Sequence, residues 1–141
     1  MYKGFIDRKN LSSSKPGVYI TTDDISGYKK VRCHRKTESG RETIQALAHL
    51  LIPAKSEVAI GENFPKSESL RAEKAYVLEI TKDGLLIDND FVCKSYYSYS
   101  RGIIYKTPGK VKPRNGFNRY MFDDTDDQIN VCITKEEAEK Y

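Results

Sequence analysis

The sequence predicts an α+β fold: a mostly antiparallel β-sheet with few helices and a short helix at the C-terminus. Three observations carry this. Short runs rich in Val, Ile and Tyr recur between turn signals made of Gly, Pro, Asp and Ser. The stretch AEKAYVLEITKDGLLI at 72–87 reads as a hairpin, with Lys82-Asp83-Gly84 turning the chain and Leu85–Ile87 running back. Near the end, Thr134 stands three positions before Glu137, the spacing of a capping box that satisfies free amides at a helix start.

In chain order, residues 2–6 form a short first strand and residues 11–16 a serine-rich connector. GVYITT at 17–22 follows the turn signal Pro16-Gly17 and is rich in β-formers. Asp23-Asp24 and Ser26-Gly27 make a further turn. From Tyr28 to Cys33 the chain is extended, with Tyr28, Lys30 and Arg32 on one side and Lys29, Val31 and Cys33 on the other. His34–Glu42 is charged, contains Gly40 and reads as a loop. Residues 42–52 fit two periods. Ile44, Leu47, Ala48 and Leu51 fall at helical spacing, but the approach to Pro53 favours extended backbone, so Leu47–Ile52 is read as a strand in preference to a helix. Val58–Ile60 is a short strand and 61–69 a loop.

The hairpin comes next. Its first strand alternates Tyr76, Leu78 and Ile80 with Ala75 and Val77, so it is expected to be covered on both faces. Residues 91–100 carry no clean period. Gly102–Lys106 and Lys110–Lys112 read as short strands around the Pro108-Gly109 turn. A basic loop at 113–119, an acidic loop at 123–127, a strand at 129–133 and the final helix complete the chain.

A chain of 141 residues fits a single domain over 1–141. No run of eighteen apolar residues is present, so nothing is expected to span a membrane. The net charge of +4 permits anionic ligands without requiring them. The cysteines Cys33, Cys93 and Cys132 are odd in number and lack CxxC spacing, so they read as reduced thiols packed in a cytoplasmic protein, with no disulfide framework and no zinc site.

Two basic clusters interleave with tyrosine. The first holds Lys30 and Arg32 beside Tyr28. The second holds Arg101 and Arg114 among Tyr97, Tyr105 and neighbouring tyrosines. Arginine grips phosphate through a planar fork, and a tyrosine ring stacks on a base. Together they are candidates for a nucleotide-like anionic ligand, against the alternative of a solvated basic sheet face. His34 reads as solvated and His49 as packed, so no catalytic residue is assigned. The acids at 123–127 lack the glycine and terminal glutamate of an EF-hand loop, and no metal or cofactor is expected.

From about Gly27 to the end, the chain resembles a viral domain family of unknown function. That family occurs in bacteriophages and large DNA viruses and is sometimes fused to pentapeptide repeats. The matching pieces keep the family's order: Gly27-Tyr28-Lys29-Lys30, Leu50-Leu51-Ile52-Pro53, Arg71-Ala72 with Lys74-Ala75 and Val77–Ile80, then Gly109, Val111, Pro113 and Phe117, and finally Ile133–Glu139 with Tyr141. The chain departs from the family where Ser69-Leu70 replace a lysine-cysteine pair and where Asn130-Val131-Cys132 replace a histidine-bearing strand. The resemblance implies a small α+β domain from a virus or prophage, and no reaction. It adds Arg71, at the family's most persistent basic position, to the candidate ligand residues.

The reading that follows is a non-enzymatic viral binding protein in the host cytoplasm, sequestering a nucleotide-derived immune signal of the host. The alternatives are a module that binds a host or virion protein, as a monomer or a homo-oligomer, and an enzyme acting on a nucleotide.

Overall fold

The computed structural model describes residues 4–62, 64, 70–95, 103–107, 109–113, 117 and 128–140. Its strands are β1 (Gly4–Ile6), β2 (Gly17–Thr21), β3 (Ile25–Thr37), β4 (Gly40–Ile52), β5 (Glu57–Ile60), β6 (Leu70–Ala72), β7 (Ala75–Lys82), β8 (Leu85–Leu86), β9 (Val92–Ser95), β10 (Ile104–Tyr105), β11 (Gly109–Val111) and β12 (Ile129–Val131). A single turn of 3-10 helix at Leu11–Ser13 and one α-helix, α1 (Lys135–Lys140), complete the described elements. The protein is thus nearly all β, and mostly antiparallel as the sequence predicts. The helical share is smaller than an α+β label implies.

The strands form two sheets. One has the order β1-β2-β5-β6-β12, with β1 parallel to β2. The other has the order β10-β9-β3-β4-β7-β11, with β8 beside β7. Strand β6, whose residues are all buried, escapes the sequence reading because three residues carry no period. The core between the sheets holds Ile25, Val31, Leu50, Ile52, Val58, Leu70, Ile129 and Val131, each at most 1% exposed. Where β2 leaves the first sheet, the buried hydroxyl of Thr21 donates to the Pro53 carbonyl (3.1 Å) and accepts from the Ser56 amide (2.9 Å). Burying these polar groups is therefore compensated by hydrogen bonds.

The longest element corrects a sequence expectation. The charged stretch 34–42 is not a loop. β3 and β4 pair without interruption from Ile25↔Ile52 to Thr37↔Gly40, leaving only Glu38-Ser39 as the turn. Ser26-Gly27 likewise lies within β3 and not in a turn. The charges there mislead because that end of the ribbon extends past the core. Arg35 anchors it: Nε donates to Glu42 Oε1 (2.8 Å), Nη1 to Asp88 Oδ2 (2.8 Å) and Asp90 Oδ1 (3.1 Å), and the guanidinium lies 4.3 Å from the Phe91 ring centroid.

The hairpin at 72–87 is present. Thr81 pairs with Leu86 and Lys82 with Leu85 across Asp83-Gly84, whose φ values of 52° and 81° mark a type I′ turn. The expected double cover is not. Along β4–β7 the register runs His49↔Glu79 and then Leu50↔Val77, so Leu78 is an extra, unpaired residue. This bulge resets the alternation. Ala75 and Val77 face the core before it and Ile80 after it, whereas Tyr76 and Leu78 are 39% and 43% exposed.

The two sheets are stitched at Gly27 and Tyr28. The Tyr28 amide donates to the Cys132 carbonyl (2.7 Å) and the Cys132 amide donates to the Tyr28 carbonyl (2.9 Å). Helix α1 follows and packs on β3 through buried Ala138. The Glu137 amide donates to Thr134 Oγ1 (3.1 Å), the hydroxyl half of the expected capping box.

The cysteine expectation is overturned. Cys33 on β3 and Cys93 on β9 are register partners, buried, and joined by a disulfide with Cα atoms 4.0 Å apart. They are 60 residues apart in the chain, so only the sheet register brings them together. Cys132 is the free thiol, and burial pushes its pKa up.

Candidate functional site

Alternation along β3 sorts the first basic cluster. Lys29, Val31 and Cys33 face the core, and Tyr28, Lys30 and Arg32 stand on the outer face, as the sequence reading placed them. Cross-strand register then builds that face. Tyr28 lies opposite His49, which lies opposite Glu79; Lys30 opposite Leu47, then Thr81; Arg32 between Gln45 on one side and Lys94 on the other. The Tyr28 and His49 rings stack with centroids 4.7 Å apart and planes at 10°. His49 is thus a ring partner on the outer face, not a core residue. His34, two residues beyond Arg32, has its pKa lowered, first by desolvation and then by Arg41 and Lys94, a sign of positive potential along this edge.

Between this face and the end of α1 lies a cleft of about 450 Å³. Lys30, Gln45, Leu47, Thr81, Asp83 and Glu139 line it. The volume falls within the range of small-ligand sites. Lysine ammonium supplies charge, while glutamine, threonine and carboxylates supply directional hydrogen bonds. Sequence reasoning found Lys30 here and Arg32 on the same face. It missed Gln45, Thr81 and Glu139 in the lining and Lys94 opposite Arg32, because separate strands and the helix converge only in the folded protein.

The remaining candidates lie elsewhere. Arg71 is in β6 on the other sheet, 5% exposed, with Ala59 and Asn130 as strand neighbours, and it is engaged within the fold. Tyr105 faces the core at 1% exposure, and burial pushes its phenol pKa up. A ring so placed is not presented for stacking on a ligand at the outer face. Arg101, Arg114 and Tyr97 fall outside the described residues, as does the acidic stretch 123–127. Among the described residues no group of three or more His, Cys, Asp or Glu is placed to hold a metal ion.

One buried cation was not foreseen. Lys29 is 7% exposed; its ammonium donates to the Asn130 carbonyl (3.3 Å) and lies 5.9 Å from the Tyr105 ring centroid. Desolvation lowers its pKa to about 8, partly opposed by Cys132. A base whose folded pKa lies below its unfolded value of 10.5 binds fewer protons when folded. Its cost is therefore full below about pH 8 and is relieved as pH rises through the window from about 8 to 10.5. Lys29→Met should raise stability at pH 7 by up to about 3 kcal/mol. It should also flatten the rise in stability that the parent shows through that window. Urea unfolding at neutral and alkaline pH measures both; a loss of stability at neutral pH would show that the ammonium is held favourably.

The chain matches the model of a family of unknown function, DUF5758, over residues 10–138. This protein belongs to the DUF5758 family. The match covers the β3–β4 ribbon, most of α1 and the cleft lining apart from Glu139. An uncharacterized protein of Acanthamoeba polyphaga mimivirus is 30% identical, the alignment covering 81% of this chain and 84% of that protein. The viral resemblance read from the sequence is thereby supported by a large DNA virus. No solved structure matches the chain. Among the described residues no helix is long and apolar enough to cross a membrane.

Proposed function

We propose that this DUF5758 domain is a non-enzymatic viral binding protein that holds an anionic, nucleotide-derived ligand at the outer-face cleft. In its sharpest form the protein sequesters a host immune signal of that chemistry. The observation that carries this reading is that Lys30 lines a cleft of ligand size on the same sheet face as Arg32, Lys94 and the stacked Tyr28–His49 pair. The cations supply phosphate contacts. The ring pair and the polar lining supply a surface for a base, and no nucleophile–base pair is needed for capture.

Charge-assisted hydrogen bonds contribute about 1.5–3 kcal/mol each. Replacing Lys30 and Arg32 together with glutamate should therefore weaken binding by roughly a hundredfold or more. Isothermal titration calorimetry with cyclic dinucleotides and cyclic ADP-ribose isomers measures this, and chromatography of the released ligand should recover it unchanged. No binding to any of these compounds defeats the reading, and a converted product replaces it with an enzyme.

A further inference from the structure

A second surface, which meets the cleft at Lys82 and Asp83, differs from it in character. Strand β8 pairs with β7 on one side only among the described strands, and its two leucines, Leu85 and Leu86, are 74% and 70% exposed. Adjacent exposed leucines on an open strand edge form an apolar patch that isolated surface leucines do not. Beside them runs a groove of about 360 Å³ with Ile44, Leu85, Leu86, Ile87 and Phe91 in its lining. The groove adjoins a smaller cavity of about 100 Å³, which shares Leu86, Ile87, Asp88 and Phe91 and has Ile80, Cys93 and Tyr105 in its lining, with Lys106 and Thr107 on its polar side. That cavity is the size of one bulky side chain, smaller than an engineered core cavity that accepts benzene. The Tyr105 hydroxyl is buried and has no hydrogen-bond partner among the described residues.

The charge around the groove is distinctive. Glu42, Asp83 and Asp88 lie along it, and Asp90 joins Glu42 and Asp88 on the single guanidinium of Arg35. Lys82 is the other cation in the lining, so carboxylates are in excess here although the whole chain carries +4. An acidic rim on a basic protein selects a basic partner.

We propose that this groove docks an extended segment of a partner protein in which a bulky aliphatic side chain is flanked by lysine or arginine. The open edge of β8 supplies main-chain hydrogen bonds to an added strand, the small cavity takes the aliphatic anchor, and Asp83 and Asp88 face the flanking cations. This surface does not depend on the nucleotide-ligand reading: Asp83 lines both, but the groove shares neither Lys30 nor Arg32 with that site.

A library of random short peptides displayed on phage and selected on the intact protein tests it. The selected peptides should carry an aliphatic residue between lysines or arginines. The best of them, made synthetically, should bind roughly tenfold or more weakly to Leu85→Ser/Leu86→Ser and to Asp83→Asn/Asp88→Asn. It should bind with unchanged affinity to Lys30→Glu/Arg32→Glu. The variants alter exposed positions, and because Asp88 also pairs with Arg35, far-UV circular dichroism and thermal unfolding verify that each keeps the fold before its affinity is compared. Absence of enrichment, enrichment of acidic peptides, or binding that survives both groove variants overturns the proposal. So does a self-association in sedimentation velocity that Leu85→Ser/Leu86→Ser abolishes, because the occupant is then a second copy of this chain.

Discussion

Removing the Cys33–Cys93 disulfide is expected to cost about 4 kcal/mol of stability. The bond closes a loop spanning 60 residues, and in the chain-entropy account closure of such a loop contributes between the roughly 3 kcal/mol of a short loop and the nearly 5 of a long one. Both sulfurs are buried, at 0% and 1% exposure, so alanine is the right replacement: serine adds the cost of burying hydroxyls. Urea midpoints of the parent and of Cys33→Ala/Cys93→Ala should differ accordingly, with a steeper transition in the variant because its unfolded chain is less compact. A thiol count on unfolded, unreduced protein provides an independent check and should find Cys132 alone. Equal midpoints and three reactive thiols would show that the bond does not form in solution. The physical interest lies in where the bond sits. It ties β9 to β3 where they share four register pairs, and β9 in turn carries β10 with the core residue Tyr105.

Gly27→Ala is the second large effect. A Cβ built at Gly27 lies 2.4 Å from Val131 Cγ1 and 2.6 Å from the Cys132 carbonyl oxygen. The valine methyl can rotate away; the carbonyl cannot, because it accepts the Tyr28 amide that joins the two sheets. Relief requires β12 to withdraw from β3, which lengthens that bond and loosens packing around Val31 and Val131. Overpacking of this kind costs about 1–3 kcal/mol, and loss of the stitching hydrogen bond adds about 1 more. Thermal unfolding should show a melting temperature lower by several degrees, with Ser26→Ala, one residue away, close to the parent. Equal melting of Gly27→Ala and the parent would mean that the junction is looser than its backbone hydrogen bonds describe. The same contact explains why a glycine heads the Gly27-Tyr28-Lys29-Lys30 piece of the family resemblance: the position tolerates no side chain.

What the sequence determined by itself was local. Alternation placed Tyr28, Lys30 and Arg32 on one face and Lys29, Val31 and Cys33 on the other, and β3 keeps that arrangement. Asp83-Gly84 fixed the hairpin turn, the approach to Pro53 favoured strand over helix, and Thr134 marked the helix start. Each of these rests on a backbone preference or a period that a few neighbouring residues express. Tertiary structure decided the rest. The bulge at Leu78 moved Ile80 to the core face, and no residue type announces a bulge. Arg35 turned a charged stretch into strand by recruiting carboxylates from Asp88 and Asp90, more than fifty residues away. Strand register brought Cys33 to Cys93 and Lys30 into line with Thr81, and the docking of α1 added Glu139 to the same cleft. Register is set by how distant strands pair and which faces they bury together, and neither a local period nor a short motif encodes it.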